Sequence, residues 1–166
     1  MPCAFSQTKP TILVVEDSDD DYEALTRAFR IRGNMTNPLH RCEDGQQALD
    51  YLFREGIYQD PLAAARPTII LLDLNMPGID GRNVLARIKG DVSLRSIPVI
   101  VMSTSDHERD IEACYQMGAN TYVQKPVSYL GLYETINRMA DFWLDCAILP
   151  RSEPNSLITY TPHAIG

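Results

Sequence analysis

Asp73 closes an apolar run, Thr68-Ile69-Ile70-Leu71-Leu72, and is followed by Leu74-Asn75-Met76-Pro77-Gly78. Glu16-Asp17 closes a second run, Thr11-Ile12-Leu13-Val14-Val15. Ser103-Thr104 closes a third that starts at Ile97, and Lys125 follows a fourth, Thr121-Tyr122-Val123. Carboxylates are hard oxygen ligands of the kind Mg²⁺ takes while keeping part of its water. Asp17 and Asp73 would bind it directly and Glu16 directly or through water. The backbone carbonyl of Asn75 would add another oxygen, and Mn²⁺ would be able to substitute. A carboxylate can also act as a nucleophile and become an aspartyl phosphate. Phosphoryl transfer needs mainly positioning and neutralisation of charge on the equatorial oxygens. The Lys125 ammonium would contact one such oxygen, and the Ser103 hydroxyl, with Thr104 beside it, would donate to another.

Taken singly, each residue has a plainer explanation. An Asp after a strand is usually a cap or turn residue, a Lys before Pro a solvated loop residue, and a strand-end Ser a backbone-bonding hydroxyl. Four polar strand ends coinciding are much harder to explain by chance.

The elements that must position these residues follow from periodicity. Continuous apolar runs describe strands buried on both faces, the pattern of a parallel sheet. Strands are expected at about 11–16, 37–42, 68–73, 97–102 and 121–123. Amphipathic helices are expected at about 20–32, from about 44, from about 80, at 106–117 and at 129–147. Ser18 or Asp19 would cap the first and Asp44 the second. Gly33-Asn34 would stop the first helix and Gly118 the fourth. The stretch from Gly56 to Pro67 reads as a long connection. The fold class is therefore α/β, and right-handed crossovers place the loops after strands one, three, four and five along one sheet edge.

The chain has 166 residues and a net charge of -7, with its basic residues scattered. That speaks against a nucleic-acid surface. No apolar stretch approaches the ~20 residues needed to span a bilayer, and residues 1–10 lack a secretory apolar core. A cytoplasmic location away from membranes is expected. Cys3, Cys42, Cys114 and Cys146 are widely separated and read as reduced, packed thiols.

At these residues the chain resembles the receiver domain of two-component response regulators. The motifs are Val14-Val15-Glu16-Asp17, Leu72-Asp73-Leu74-Asn75-Met76-Pro77-Gly78, Asp80-Gly81, Met102-Ser103-Thr104-Ser105 and Gln124-Lys125-Pro126. The resemblance covers about 11–147. It implies a doubly wound, flavodoxin-like five-stranded parallel sheet of order 2-1-3-4-5. It also implies that Asp73 is the phosphoacceptor, charged by the phosphohistidine of a sensor histidine kinase. Glu16, Asp17, Asp73 and the Asn75 carbonyl would hold Mg²⁺, and Ser103, Thr104 and Lys125 would bind the phosphoryl group. Lys125-Pro126 would be cis. Ser103 and Tyr122 would form the switch, and Asn75 and Ser105 would tune the phosphoryl lifetime. Such a chain self-phosphorylates and autodephosphorylates but turns over no other substrate.

The long connection before strand three and the ending Ala140-Asp141-Phe142-Trp143-Leu144 through Leu149-Pro150 resemble stand-alone receivers serving phytochromes. Residues 1–10 read as an N-terminal arm, 11–149 as the receiver domain and 150–166 as a tail. With no output domain after Pro150, the signal is expected to be read on the domain's own surface. The tail's apolar Leu157-Ile158-Thr159-Tyr160 is expected to pack on this domain or a neighbour. The last helix carries an apolar stripe wider than one sheet face needs, which points to a homodimer with Phe142 or Trp143 as anchors.

Three alternatives compete: a phosphorelay intermediate, a pseudo-receiver that works only as a binding module, and a haloacid-dehalogenase-type phosphohydrolase. The last normally needs an Asp two residues beyond the nucleophile on the first strand, whereas here that residue is Asn75 and Asp73 ends the third.

Overall fold

A computed structural model of the chain describes residues 9–32, 37–60 and 62–150. Strands β1 (Ile12–Val15), β2 (Leu39–Cys42), β3 (Ile69–Asp73), β4 (Val99–Ser103) and β5 (Thr121–Gln124) alternate with helices α1 (Asp19–Ile31), α2 (Gly45–Phe53), α3 (Gly81–Gly90), α4 (Glu108–Gln116) and α5 (Tyr129–Ala140). The strands pair in parallel in the order β2-β1-β3-β4-β5.

Every residue of β1, β3 and β4 is buried, while the edge strands β2 and β5 are half-exposed. The strand period of two then divides the core. Leu13, Val15, Ile70, Leu72, Val99 and Val101 face α2, α3 and α4. Ile12, Val14, Ile69, Leu71, Ile100 and Met102 face α1 and α5. Both layers are needed because neither face of a parallel sheet of this composition can meet water.

Local chemistry sets the helix starts. The Ser18 hydroxyl accepts from Asp21 N at 3.2 Å, and the Asp44 carboxylate from Gln47 N at 2.7 Å. Asp80 accepts from Arg82 N and Asn83 N. Next to that cap, a Cβ on Gly81 would collide with the Asp73 carbonyl oxygen and Leu74 Cα. The Asp80-Gly81 pair thus brings α3 directly against the strand end that carries Asp73.

The long connection after α2 contains a 3₁₀ turn at Gly56–Tyr58. Gly118, at φ +99°, ends α4 as its sequence suggests. The last helix departs from expectation. Its α-helical part stops at Ala140, and Asp141–Cys146 form a π-helical turn closed by Ala147 N donating to Phe142 O at 2.7 Å. Arg32 at the end of α1 donates to Asn137 O at 2.9 Å and pairs with Asp141 and Asp145, gripping both ends of the wider turn.

Cys42 and Cys114 are buried free thiols and Cys146 an exposed one; burial pushes the Cys42 thiol up to about 12, which makes it inert. Cys3, Gly33-Asn34, nearly all of the arm and the tail beyond Pro150 lie outside the described residues.

Candidate functional site

The C-terminal strand ends bring the polar residues together. Glu16 follows β1 and is buried, Asp17 beside it is exposed, and Asp73 ends β3 and is buried. Each offers a carboxylate oxygen, and the three oxygens lie within 4.8 Å of one another. Such an oxygen-only, strongly anionic cluster fits a hard divalent cation in its donor chemistry. Asn75 N donates to Asp73 Oδ1 at 3.2 Å, fixing that carboxylate from its own loop.

Lys125 follows β5 and is held by its backbone N–H, which donates to Ser103 O at 2.7 Å. Its ammonium contacts Glu16 Oε2 at 2.6 Å, Asp21 Oδ2 at 2.9 Å and Asp73 Oδ2 at 3.4 Å. Burial works against that ammonium. Hydrogen bonds to Glu16 and Asp21 and the Asp73 charge outweigh it, holding the Lys125 pKa above the ordinary lysine value. Burial in turn raises Glu16, while Lys125 pulls it the other way. The Lys125–Pro126 bond is trans, not the cis form implied by the resemblance. Trans is the lower-energy isomer of an X–Pro bond, and from it Lys125 already reaches its three carboxylates.

Ser103 ends β4 and is fully buried. Its hydroxyl oxygen accepts from Asn75 Nδ2 at 3.3 Å and Ser105 N at 3.2 Å, which leaves its own proton to be donated. Thr104 is exposed beside it. Ser105 donates to Asp110 Oδ2 at 2.7 Å, and Asp110 pairs with Arg82 of α3 at 2.9 Å. The half-buried Tyr122 donates its hydroxyl to Ser105 O at 2.9 Å. The loop after β4 is therefore tied both to the acidic pocket and to the β5 surface.

Two residues of this network have no place in the sequence reading. Asp21, in the first turn of α1, is the second carboxylate on Lys125. Arg41, in β2, donates to the backbone carbonyls of Glu16 at 3.0 Å and Asp17 at 3.2 Å and to Asp19 Oδ1 at 2.6 Å, bracing the acidic loop from the sheet edge. The run Asp19-Asp20-Asp21 was the available signal for the first.

The aromatic pair of the last turn lies away from this site. Trp143 is half-buried and packs with the core of β1, α1 and α5, whereas Phe142 is 54% exposed. No helix of the described residues is long and apolar enough to cross a membrane.

Residues 12–137 match the model of the response regulator receiver domain. Response regulator Rcp1 of Synechocystis sp. is 36% identical over 145 residues, covering 87% of this chain and 96% of Rcp1. The solved structure of Rcp1 in its Mn²⁺-bound form matches with a TM-score of 0.80 at 36% identity, covering 86% of this chain and 99% of that one. The phosphorylated cyanobacterial phytochrome response regulator RcpA matches with a TM-score of 0.81 at 38% identity, covering 87% of this chain and 100% of RcpA. Response regulator RPA3017, described in red light signaling of R. palustris, matches with a TM-score of 0.78 at 39% identity, covering 86% and 99%.

Proposed function

The chain belongs to the response regulator receiver domain family, and from that premise we propose that Asp73 accepts a phosphoryl group from the phosphohistidine of a sensor histidine kinase. The observation that carries this is the meeting of Asp73, Glu16, Asp17 and Lys125 at one sheet edge. Glu16, Asp17, Asp73 and the Asn75 carbonyl would hold Mg²⁺, which when bound supplies positive charge against the phosphoryl oxygens.

The chain's own residues then do the following. An Asp73 carboxylate oxygen attacks phosphorus as the P–N bond to the kinase histidine breaks, and the imidazole leaves with the electron pair. Lys125 swings its ammonium onto one phosphoryl oxygen. Ser103 donates its free proton to another. Because Ser105 N now donates to the Ser103 hydroxyl oxygen and Tyr122 to the Ser105 carbonyl, displacement of that hydroxyl pulls on the β4–α4 loop and on Tyr122. This is a local charge event that biases a two-state surface over α4, β5 and α5. Asn75 and Ser105 flank the acceptor and would tune how long the group survives.

The relationship to RcpA and RPA3017 supports a phytochrome kinase as the donor. Radiolabelled phosphotransfer from a panel of autophosphorylated kinases tests this. Transfer from a phytochrome kinase is expected to be complete earliest in the time course. Preferential transfer from an unrelated kinase would contradict it.

The exposure of Phe142 at the α5 end supports a homodimer through that helix, with Trp143 as its partly buried neighbour. Light scattering at micromolar concentration should read a dimer; monomer alone would rule it out.

A further inference from the structure

Asp21 is the carboxylate nearest the Lys125 ammonium after Glu16, yet it is not one of the three that converge for a cation. Its backbone is fixed by the Ser18 cap at 3.2 Å, so its side chain leaves the first turn of α1 from a defined place. We propose that Asp21 is a positioning residue that holds the Lys125 ammonium back from Asp73 until a phosphoryl group arrives, and so sets the rate at which Asp73 is charged. This rests on the assignment of Asp73 as phosphoacceptor.

An ammonium has three N–H donors. Two are taken at hydrogen-bond length by Glu16 and Asp21, while the Asp73 oxygen stands off at 3.4 Å. The third donor is free, but the ammonium sits closer to Glu16 and Asp21 than to Asp73, so moving it toward a phosphoryl oxygen on Asp73 lengthens one of the two short contacts. The Glu16 side chain is only 6% exposed, and bound Mg²⁺ would meet its charge during charging, which leaves Asp21 as the carboxylate that holds the ammonium back. The Asp21 side chain is 47% exposed, and water can replace the lysine there. The Asp21 contact is therefore the one that breaks. It is intact before phosphorylation and already broken in the acyl phosphate. Asp21 thus raises the barrier to charging Asp73 but leaves hydrolysis of the product untouched.

Two measurements on the full chain test this. In the first, ¹⁵N side-chain NMR of the protein without metal follows the Lys125 Nζ signal. It is expected to move in Asp21→Asn and to return toward the wild-type position in Asp21→Glu. In the second, labelled acetyl phosphate and saturating Mg²⁺ give the charging rate, and removal of donor gives the hydrolysis rate. Asp21→Asn should charge about fivefold faster, the rate ratio for about 1 kcal/mol of lost ion pairing. Its hydrolysis rate should equal that of wild type. An unmoved lysine signal overturns the proposal, as do charging and hydrolysis rates that shift together, the sign of a merely distorted pocket. If neither protein takes up label, the Asp73 assignment fails instead. The lysine signal alone then decides whether Asp21 holds Lys125, a moved signal supporting the hold and an unmoved one removing it.

Discussion

Lys125→Met is expected to destabilise the metal-free protein by about 3–5 kcal/mol, the cost of removing one partner from a buried ion pair. The Lys125 side chain is 10% exposed, and those of Glu16 and Asp73 are 6% and 7% exposed. Met replaces most of the apolar stem, so the loss isolates the charge. Without the ammonium, two buried carboxylates face each other with Asp17 close by. The pH dependence follows in sign. A raised lysine pKa means that Lys125 contributes its stability below the unfolded lysine value and loses it only as pH rises through the higher folded one. At neutral pH its contribution is therefore fully present in wild type. In the variant, Glu16, already raised by burial, rises further and takes up a proton as pH falls. The gap between the two proteins should narrow as pH falls, and saturating Mg²⁺ should narrow it as well. Urea unfolding followed by the fluorescence of Trp143, the chain's only tryptophan, reads all of this. A deficit under about 1 kcal/mol, typical of exposed pairs, would mean that the carboxylates are not held by Lys125.

Mg²⁺ should stabilise the folded protein by linkage, since only the folded chain brings Glu16, Asp17 and Asp73 together. At a hundredfold excess over Kd the gain is about 2.7 kcal/mol. For a domain of this size that corresponds to a rise of about 5–10 °C in Tm. Asp17→Asn should abolish the rise. Asp17 is exposed, so the substitution itself costs little fold stability and relieves repulsion among the three carboxylates. Mn²⁺ should reproduce the effect and a chelator remove it. Equal shifts in wild type and Asp17→Asn by scanning calorimetry would show that the cation binds elsewhere.

The residues legible in the sequence are those at strand ends. Apolar runs such as 69–72 and 12–15 announce buried strands, and a parallel sheet delivers whatever follows each run to one edge. Glu16, Asp17, Asp73, Ser103 and Lys125 could be placed that way. The strand order came from the motifs' resemblance, because alternation alone does not say which strands are neighbours. Asp21 stayed hidden because acidic residues in a first helical turn are ordinary partners of the helix dipole. Arg41 stayed hidden because a basic residue on an edge strand usually faces solvent. The π-helical turn at 141–146 was unreadable for a geometric reason. The broad apolar stripe through Met139, Ala140, Trp143 and Leu144 is compatible with either turn width, and the choice rests on Arg32, over a hundred residues away in sequence.

The central claim is that Asp73 is where the chain takes its phosphoryl group, and one measurement reaches it most directly. Wild type and Asp73→Asn are incubated with Mg²⁺ and phosphoramidate, and the intact and digested proteins are weighed by mass spectrometry. One acid-stable, base-labile phosphoryl adduct on the peptide carrying Asp73, dependent on Mg²⁺ and missing from Asp73→Asn, is the predicted result. No adduct in wild type, or an undiminished one in Asp73→Asn, would contradict the account.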